Sequence, residues 1–238
     1  MTQCGPDCVG LICEDYYYRD QSDISESERV FTNYDHPMSL EHDLLTRHLR
    51  ELKAGNTVEL PQYDYVHHTR SDKTVTMTPK SLLVVEGILL FTNAELRKEM
   101  DCLIFVDTPP DICLIRRIRR DMKERGRTFE SVIEQYERTV RSMYFAHIEP
   151  SKKHADIIVP SWEDNIVAIG VLIAKLHNNI ARHTHTHTRT HTRRHTCAED
   201  RLAFLVMRRT GRQPETSRVT PLRHSYPQVS LYLYLWFL

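Results

Sequence analysis

The stretch LIFVDTPPDICLIRRIRRDMKERGR, Leu103–Arg127, decides the fold. Its first four residues, Leu103-Ile104-Phe105-Val106, are apolar without alternation, the pattern of a strand buried on both faces. Asp107-Thr108-Pro109 ends the run. Pro110 suits the first turn of a helix, where its missing N–H would have had no partner. The sequence predicts a helix from Pro110 through Arg125, with Ile112, Ile115 and Met122 turned inward and the arginines elsewhere. A strand that ends in an acid and passes directly into a helix is the building unit of a parallel α/β sheet.

The same unit recurs on either side. The segment Asp7 to Ile12 ends in Val9-Gly10-Leu11-Ile12 and leads into Glu14-Asp15-Tyr16-Tyr17-Tyr18, a buried strand delivering an acid at its carboxyl end. Ser81 to Val85 predicts a second such strand, ending at Glu86-Gly87, and Ile157 to Val159 a short third. Between them the sequence predicts a helix over Ser39 to Ala54, with Ser39 as its cap and Leu40, Leu44, Leu45, Leu49 and Leu52 on one face. Gly55 is its stop signal. Thr57 to Leu60 and Lys73 to Thr78 read as the arms of a β-hairpin around a long loop. Thr128 to His147 predicts another helix, and Asp164 to Leu176 a closing amphipathic one. Ligands of parallel sheets bind beyond the carboxyl ends of the strands. Asp15, Glu86 and Asp107 stand at such ends.

Composition adds limits. The 238 residues suffice for one sizeable domain with a buried core. A formal charge of zero hides an asymmetry: from Ala181 onward there are 10 Arg, no Lys and 3 acidic residues, a net +7, so the rest carries −7. The acidic body and the absence of a nucleic-acid motif argue against nucleic acid as a partner. Six cysteines are scattered without a CxxC pair, which argues against a disulfide framework and points to a reducing compartment. Cys102 and Cys113, in apolar runs, read as small core residues. No apolar leader core opens the chain, and Ser230 to Leu238 is too short to span a bilayer, so a cytoplasmic protein without a membrane partner is expected. His183 to Thr196, HTHTHTRTHTRRHT, is the reading of a CA-dinucleotide tract in one frame; alternate histidines also have donor chemistry for Zn or Ni. Cys197 to Leu238 shows no clear periodicity. A body over 1–178 and a low-complexity tail over 179–238 without a packed domain are expected.

Six segments in series carry a specific likeness: ICEDYYYRDQS, TNYDHP, LPQYDYVHHTR, VVEGILL, FVDTPPDICLIRRIRRDMKERGR and ADIIVP. In this order and spacing the chain, over roughly Asp7 to Leu176, resembles the uridine–cytidine kinases, the pyrimidine-nucleoside branch of the P-loop kinases. The resemblance implies a P-loop NTPase-type parallel sheet flanked by helices, with a β-hairpin over the nucleoside site. It implies ATP as phosphoryl donor, Mg²⁺ as cofactor, uridine or cytidine as acceptor, and a homo-oligomer, by family a tetramer.

The same resemblance assigns roles. Asp15 matches the catalytic carboxylate that accepts the 5′-hydroxyl proton and lies near Mg²⁺, and Glu86 matches the strand-end acid beside the metal. Asp35 matches the acid that holds the ribose hydroxyls. Tyr63 and His68 match the base-recognition pair, with Tyr18, Tyr34 and Tyr65 as walls. Arg117, Arg127 and Gln135 match nucleoside contacts. Arg120 and Arg125 would face phosphates, since guanidinium forks suit phosphate oxygens. Arg116 and Arg119 lie beside them, at least one on the surface, and His67 reads as a solvated loop residue. Asp164 matches a position near the adenine, where Ser161-Trp162 replaces the family's usual Arg-Gly.

One family element has no counterpart. No GxxxxGK[ST] run occurs; the early glycines are Gly5 and Gly10, and no lysine precedes Lys53. Such a loop cradles phosphates with its backbone N–H groups and reaches them with its Lys. By the resemblance, the first strand, the loop and the first helix are missing. That strand is central in the family's sheet, so its neighbours are expected to have unpaired edges, and the chain to be poorly stable alone. Three readings of this stand: a shortened chain, a non-catalytic partner of intact subunits, and a chain with residual activity.

Overall fold

The computed structural model describes residues 9–29, 31–65, 67–161, 165–175 and, for its backbone, the strand 202–207. Its strands are β1 (Val9–Cys13), β2 (Val58–Asp64), β3 (Thr69–Met77), β4 (Leu82–Glu86), β5 (Cys102–Asp107), β6 (Ile157–Pro160) and β7 (Leu202–Met207). Five of them form one sheet in the order β1-β4-β7-β5-β6, and β2-β3 form a separate hairpin. All pairings in the five-stranded sheet are parallel. The architecture is the expected α/β sheet with an overlying hairpin.

The sheet's strands are apolar because both faces are covered. In β4 every residue is buried. Leu83 and Val85 enter one core cluster with Ile12, Leu45, Leu49 and Phe105, while Leu82 and Val84 enter a second with Ile104, Val106, Val159 and Leu172. The alternation of strand side chains thus feeds two cores from one strand. Leu172 anchors the helix over 166–175 on the second core, with Ala168 and Ile173 packed against it.

The helices are α1 (Glu26–Arg29), α2 (His42–Ala54), α3 (Ala94–Lys98), α4 (Pro110–Glu124) and α5 (Phe129–Gln135). After α5 the chain stays helical through Ser151, with π turns at Tyr136–Val140 and Tyr144–Ile148, and so runs past the expected end at His147. Gly55 stops α2 in the left-handed region at φ 95°.

Three local expectations need correction. Ser39 does not cap α2, which starts at His42. Instead the Ser39 hydroxyl donates to the Tyr34 and His36 carbonyls, and Leu40 is held extended by a bridge to Tyr18. Glu41 N–H donating to the Tyr17 carbonyl (2.8 Å) delays the first turn. The hairpin arms are longer and the loop shorter than expected, because β3 is mostly exposed and shows no apolar alternation. On α4, Ile115 and Met122 are exposed, whereas Asp121 is fully buried. That helix turns a polar face inward. The tail also contributes β7, an apolar run of strand length within a stretch in which the sequence shows no clear periodicity. It stands between β4 and β5.

Candidate active site

The site lies beyond the carboxyl ends of β1 and β4, beneath the hairpin. Parallel pairing sets Cys13 opposite Glu86. The chain then turns through a 3-10 segment, Glu14–Tyr17, that delivers Asp15. Glu14 is structural: its buried carboxylate meets His42 Nε2 at 2.8 Å and accepts from Leu89 N–H at 2.9 Å. A Cβ on Gly87 would fall 2.1 Å from Glu14 Oε2, so only glycine fits beside it.

Asp15 and Glu86 flank the same buried atom. Burial, then the Glu86 carboxylate and then Asp15, push the Cys13 thiol well above its ordinary value. Among the described residues no three His, Cys, Asp or Glu side chains form a metal-holding cluster. Mg²⁺ does not require one: it keeps several waters and takes one or two carboxylates. The pair Asp15 and Glu86, hard oxygen donors at adjoining strand ends, fits that ion.

The hairpin brings its aromatic residues over this edge. The Tyr65 hydroxyl donates to Asp15 Oδ2 at 3.4 Å. Tyr65 meets Tyr63 edge-on with centroids 5.3 Å apart, Tyr63 lies 5.0 Å from Tyr18, and Tyr18 lies 5.5 Å from Tyr34. Tyr34 stacks on His68 at 5.4 Å with 25° between planes. The five rings make a continuous aromatic wall. Tyr63 carries a buried hydroxyl that makes no hydrogen bond of good geometry among the described residues, with Tyr34 beside it. Leaving such a group buried costs about 1–3 kcal/mol unless a ligand satisfies it.

His68 sits at φ 52°, the only described non-glycine residue with positive φ. A left-handed conformation held on a non-glycine residue carries strain of order 1–3 kcal/mol, a cost seen where a side chain must be aimed. Burial, then the Arg127 and Arg125 guanidiniums, lower its pKa from the ordinary value. Near neutral pH the ring is therefore uncharged and offers one donor and one acceptor. His67, beside it, is exposed and pairs with Asp64 at 2.9 Å, as expected of a loop residue.

The third wall is cationic. Arg117 Nη2 donates to Gln135 Oε1 at 2.9 Å, and Arg127 donates to the same oxygen. Arg125 lies over the Tyr65 ring at 5.7 Å. Arg120 bonds Asp121 at 2.7 Å, and Arg117, Arg125 and Arg127 reach the same carboxylate at 3.8, 3.6 and 3.5 Å. Asp121 is thus the buried hub of all four arginines, and sequence reasoning passed over it. Its spacing, four residues from both Arg117 and Arg125, was the available signal. Asp35 faces the same group: burial raises its carboxyl above the ordinary value, while Arg117 and then Arg120 pull it down. Four guanidiniums against the carboxylates of Asp35 and Asp121 leave a cationic surplus suited to phosphate oxygens.

The structure therefore brings together Asp15, Glu86, Tyr18, Tyr34, Asp35, Tyr63, Tyr65, His68, Arg117, Arg120, Arg125, Arg127 and Gln135. Asp164 lies outside the described residues. Arg119 is exposed, and Arg116 partly so.

A parallel α/β sheet with carboxylates at its strand ends and an arginine-rich segment over them holds the kinds of groups that phosphoryl transfer requires. The model of the phosphoribulokinase/uridine kinase family matches residues 12–168, and the chain belongs to that family. It is 60% identical over 175 residues to a uridine kinase of Proteus mirabilis, covering 74% of this chain and 82% of the relative. It is 55% identical over 177 residues to one of Shewanella pealeana, covering 74% and 84%. Among solved structures, phosphoribulokinase from Rhodobacter spheroides matches with a TM-score of 0.50 and 21% identity, over 64% of this chain and 60% of the other, a likeness of fold. No helix among the described residues is long and apolar enough to cross a membrane.

Proposed function

We propose that this chain binds uridine or cytidine and presents the nucleoside's 5′-hydroxyl for phosphorylation by ATP. The observation that supports this most is the aromatic wall of Tyr18, Tyr34, Tyr63, Tyr65 and His68, whose Tyr65 meets Asp15 and whose Tyr18 feels both Asp15 and Asp35. In this reading the flat base lies against the rings, and His68 and the buried Tyr63 hydroxyl meet its polar edge. Asp35 accepts from the ribose hydroxyls, with Arg117, Arg127 and Gln135 closing the pocket. Asp15 takes the 5′-hydroxyl proton as the new O–P bond forms, and Arg120 and Arg125 face phosphate charge. Mg²⁺, held by Asp15 and Glu86, would supply charge neutralisation on the transferring phosphoryl group. The 238 residues contain no GxxxxGK[ST] run, and the residues named here serve the nucleoside side of the transfer.

Calorimetric titration with uridine tests the reading apart from turnover. Uridine should bind at least about tenfold more tightly than adenosine, whose larger base needs a different pocket. The affinity should weaken as pH falls below the ordinary histidine range near 6.5. His68 has a depressed pKa, so its uncharged form prevails at neutral pH and is lost only on acidification, next to Arg125, Arg127, Asp64 and Glu26. Asp35, with its raised carboxyl, protonates in the same direction. A His68→Gln variant should flatten the histidine part of this dependence. Equal affinity for adenosine, or a pH response unchanged in that variant, would contradict the proposal.

A further inference from the structure

We infer that Arg29 is the positioning residue that aims His68, holding the histidine and its stacking partner Tyr34 as one unit. For its effect on uridine, the inference rests on the reading of these rings as the base pocket. Arg29 ends α1, a single turn closed by Glu28, whose Oε2 accepts from the Ser25 N–H at 3.1 Å and the Ser25 hydroxyl at 2.6 Å. The guanidinium then works in two directions. Its Nε donates to the Gln21 and Ile24 carbonyls at 2.9 and 3.1 Å, which fixes it to its own loop. Its Nη1 donates across to the His67 carbonyl at 2.8 Å, in the hairpin turn. A planar fork with donors at fixed angles serves both sets at once.

The His67 carbonyl belongs to the peptide that enters His68. The orientation of that peptide sets the φ of 52°, a conformation that persists only where the surroundings hold it. The far side of His68 is held from the same loop: Thr69 Oγ1 accepts from the Gln21 N–H at 3.3 Å and donates to Asp20 Oδ1 at 2.9 Å. Arg29 also fixes the second ring. The Tyr34 hydroxyl donates to the Arg29 carbonyl at 3.0 Å, shared with Gln21 Oε1 at 3.2 Å, and the Tyr34 ring stacks on His68. The circuit runs from the Arg29 side chain through His67 and His68 to Tyr34 and back to the Arg29 carbonyl. Neither ring can turn without breaking a bond to Arg29.

Nuclear magnetic resonance on the ligand-free full chain tests this without uridine. The Tyr34 ring current should shift the His68 ring protons upfield, and their signals are assigned by their absence in His68→Ala. Arg29→Lys keeps the charge and removes the fork. It should melt within about 2 °C of the unaltered chain and move the His68 signals toward those of a free histidine. Arg29→Ala should do the same and weaken uridine binding by about tenfold, the scale of one strained residue released. In a His68→Ala background the same change should cost less than about twofold, since residues acting as a unit are not additive. His68 signals left in place by Arg29→Lys would overturn the inference. So would an equal loss of affinity with and without the His68 side chain, or an Arg29→Lys melt lowered by about 10 °C, which would make Arg29 a scaffold residue. An unaltered chain that binds no uridine would contradict the nucleoside reading alone, and the His68 signals of the free protein would still decide the role of Arg29.

Discussion

Replacing Asp121 with Ala should lower the stability of the full chain by about 3 kcal/mol, because a carboxylate removed from among four arginines leaves their charges facing one another. The figure stands at the low end of the range for broken buried pairs. Asp121 itself is fully buried, but its partners' side chains keep between 18% and 40% exposure, so water and salt still screen them. For a chain of this size that loss is a fall in melting temperature of roughly 10 °C. Uridine affinity should fall with it, since Arg117 and Arg127 both reach Asp121 and Gln135. Differential scanning calorimetry checks the first effect and titration the second. Asp121→Asn, which keeps the shape, should recover part of the packing but not the affinity. An Asp121→Ala chain that melts and binds like the unaltered one would show that the arginines are placed by other contacts.

Asp35→Ala should weaken uridine binding by on the order of 100-fold, the scale of a charge-assisted hydrogen-bond pair to a ligand. Stability should move the other way or stay level. Burial holds the Asp35 carboxyl above its ordinary value, so the folded protein retains a proton there that the unfolded chain releases as pH rises. Its removal should therefore lift stability slightly at pH values above the ordinary carboxylate range. A loss of affinity together with an equal loss of stability would mark Asp35 as a structural residue. Titration and a melt on the same variant separate the two.

Much of this was legible in the sequence because strand, acid and helix follow one another without interruption. The strands Val9–Cys13, Leu82–Glu86 and Cys102–Asp107 are apolar up to the acids that end or follow them. The tyrosines and His68 were legible as residues but not as a wall, since the contacts run between segments up to some fifty positions apart. Other features were hidden for identifiable reasons. Asp121 reads in sequence as one member of ordinary salt bridges spaced four residues apart, and only its complete burial shows it as a hub. The inward turn of α4 was misread because amphipathic reasoning sends the apolar face to the core. Here Arg117, Arg120 and Asp121 face the site instead, and Ile115 and Met122 are left exposed. β7 was missed because its six apolar residues follow a low-complexity repeat in a stretch without clear periodicity.

The direct test of the account is a crystal structure of the full chain grown with uridine. The base should lie against Tyr34, Tyr63 and His68 with the Tyr63 hydroxyl satisfied. The ribose hydroxyls should be on Asp35, and the 5′-oxygen within about 3.2 Å of an Asp15 carboxylate oxygen. Uridine bound elsewhere, or lodged here with its 5′-oxygen turned away from Asp15, would contradict it.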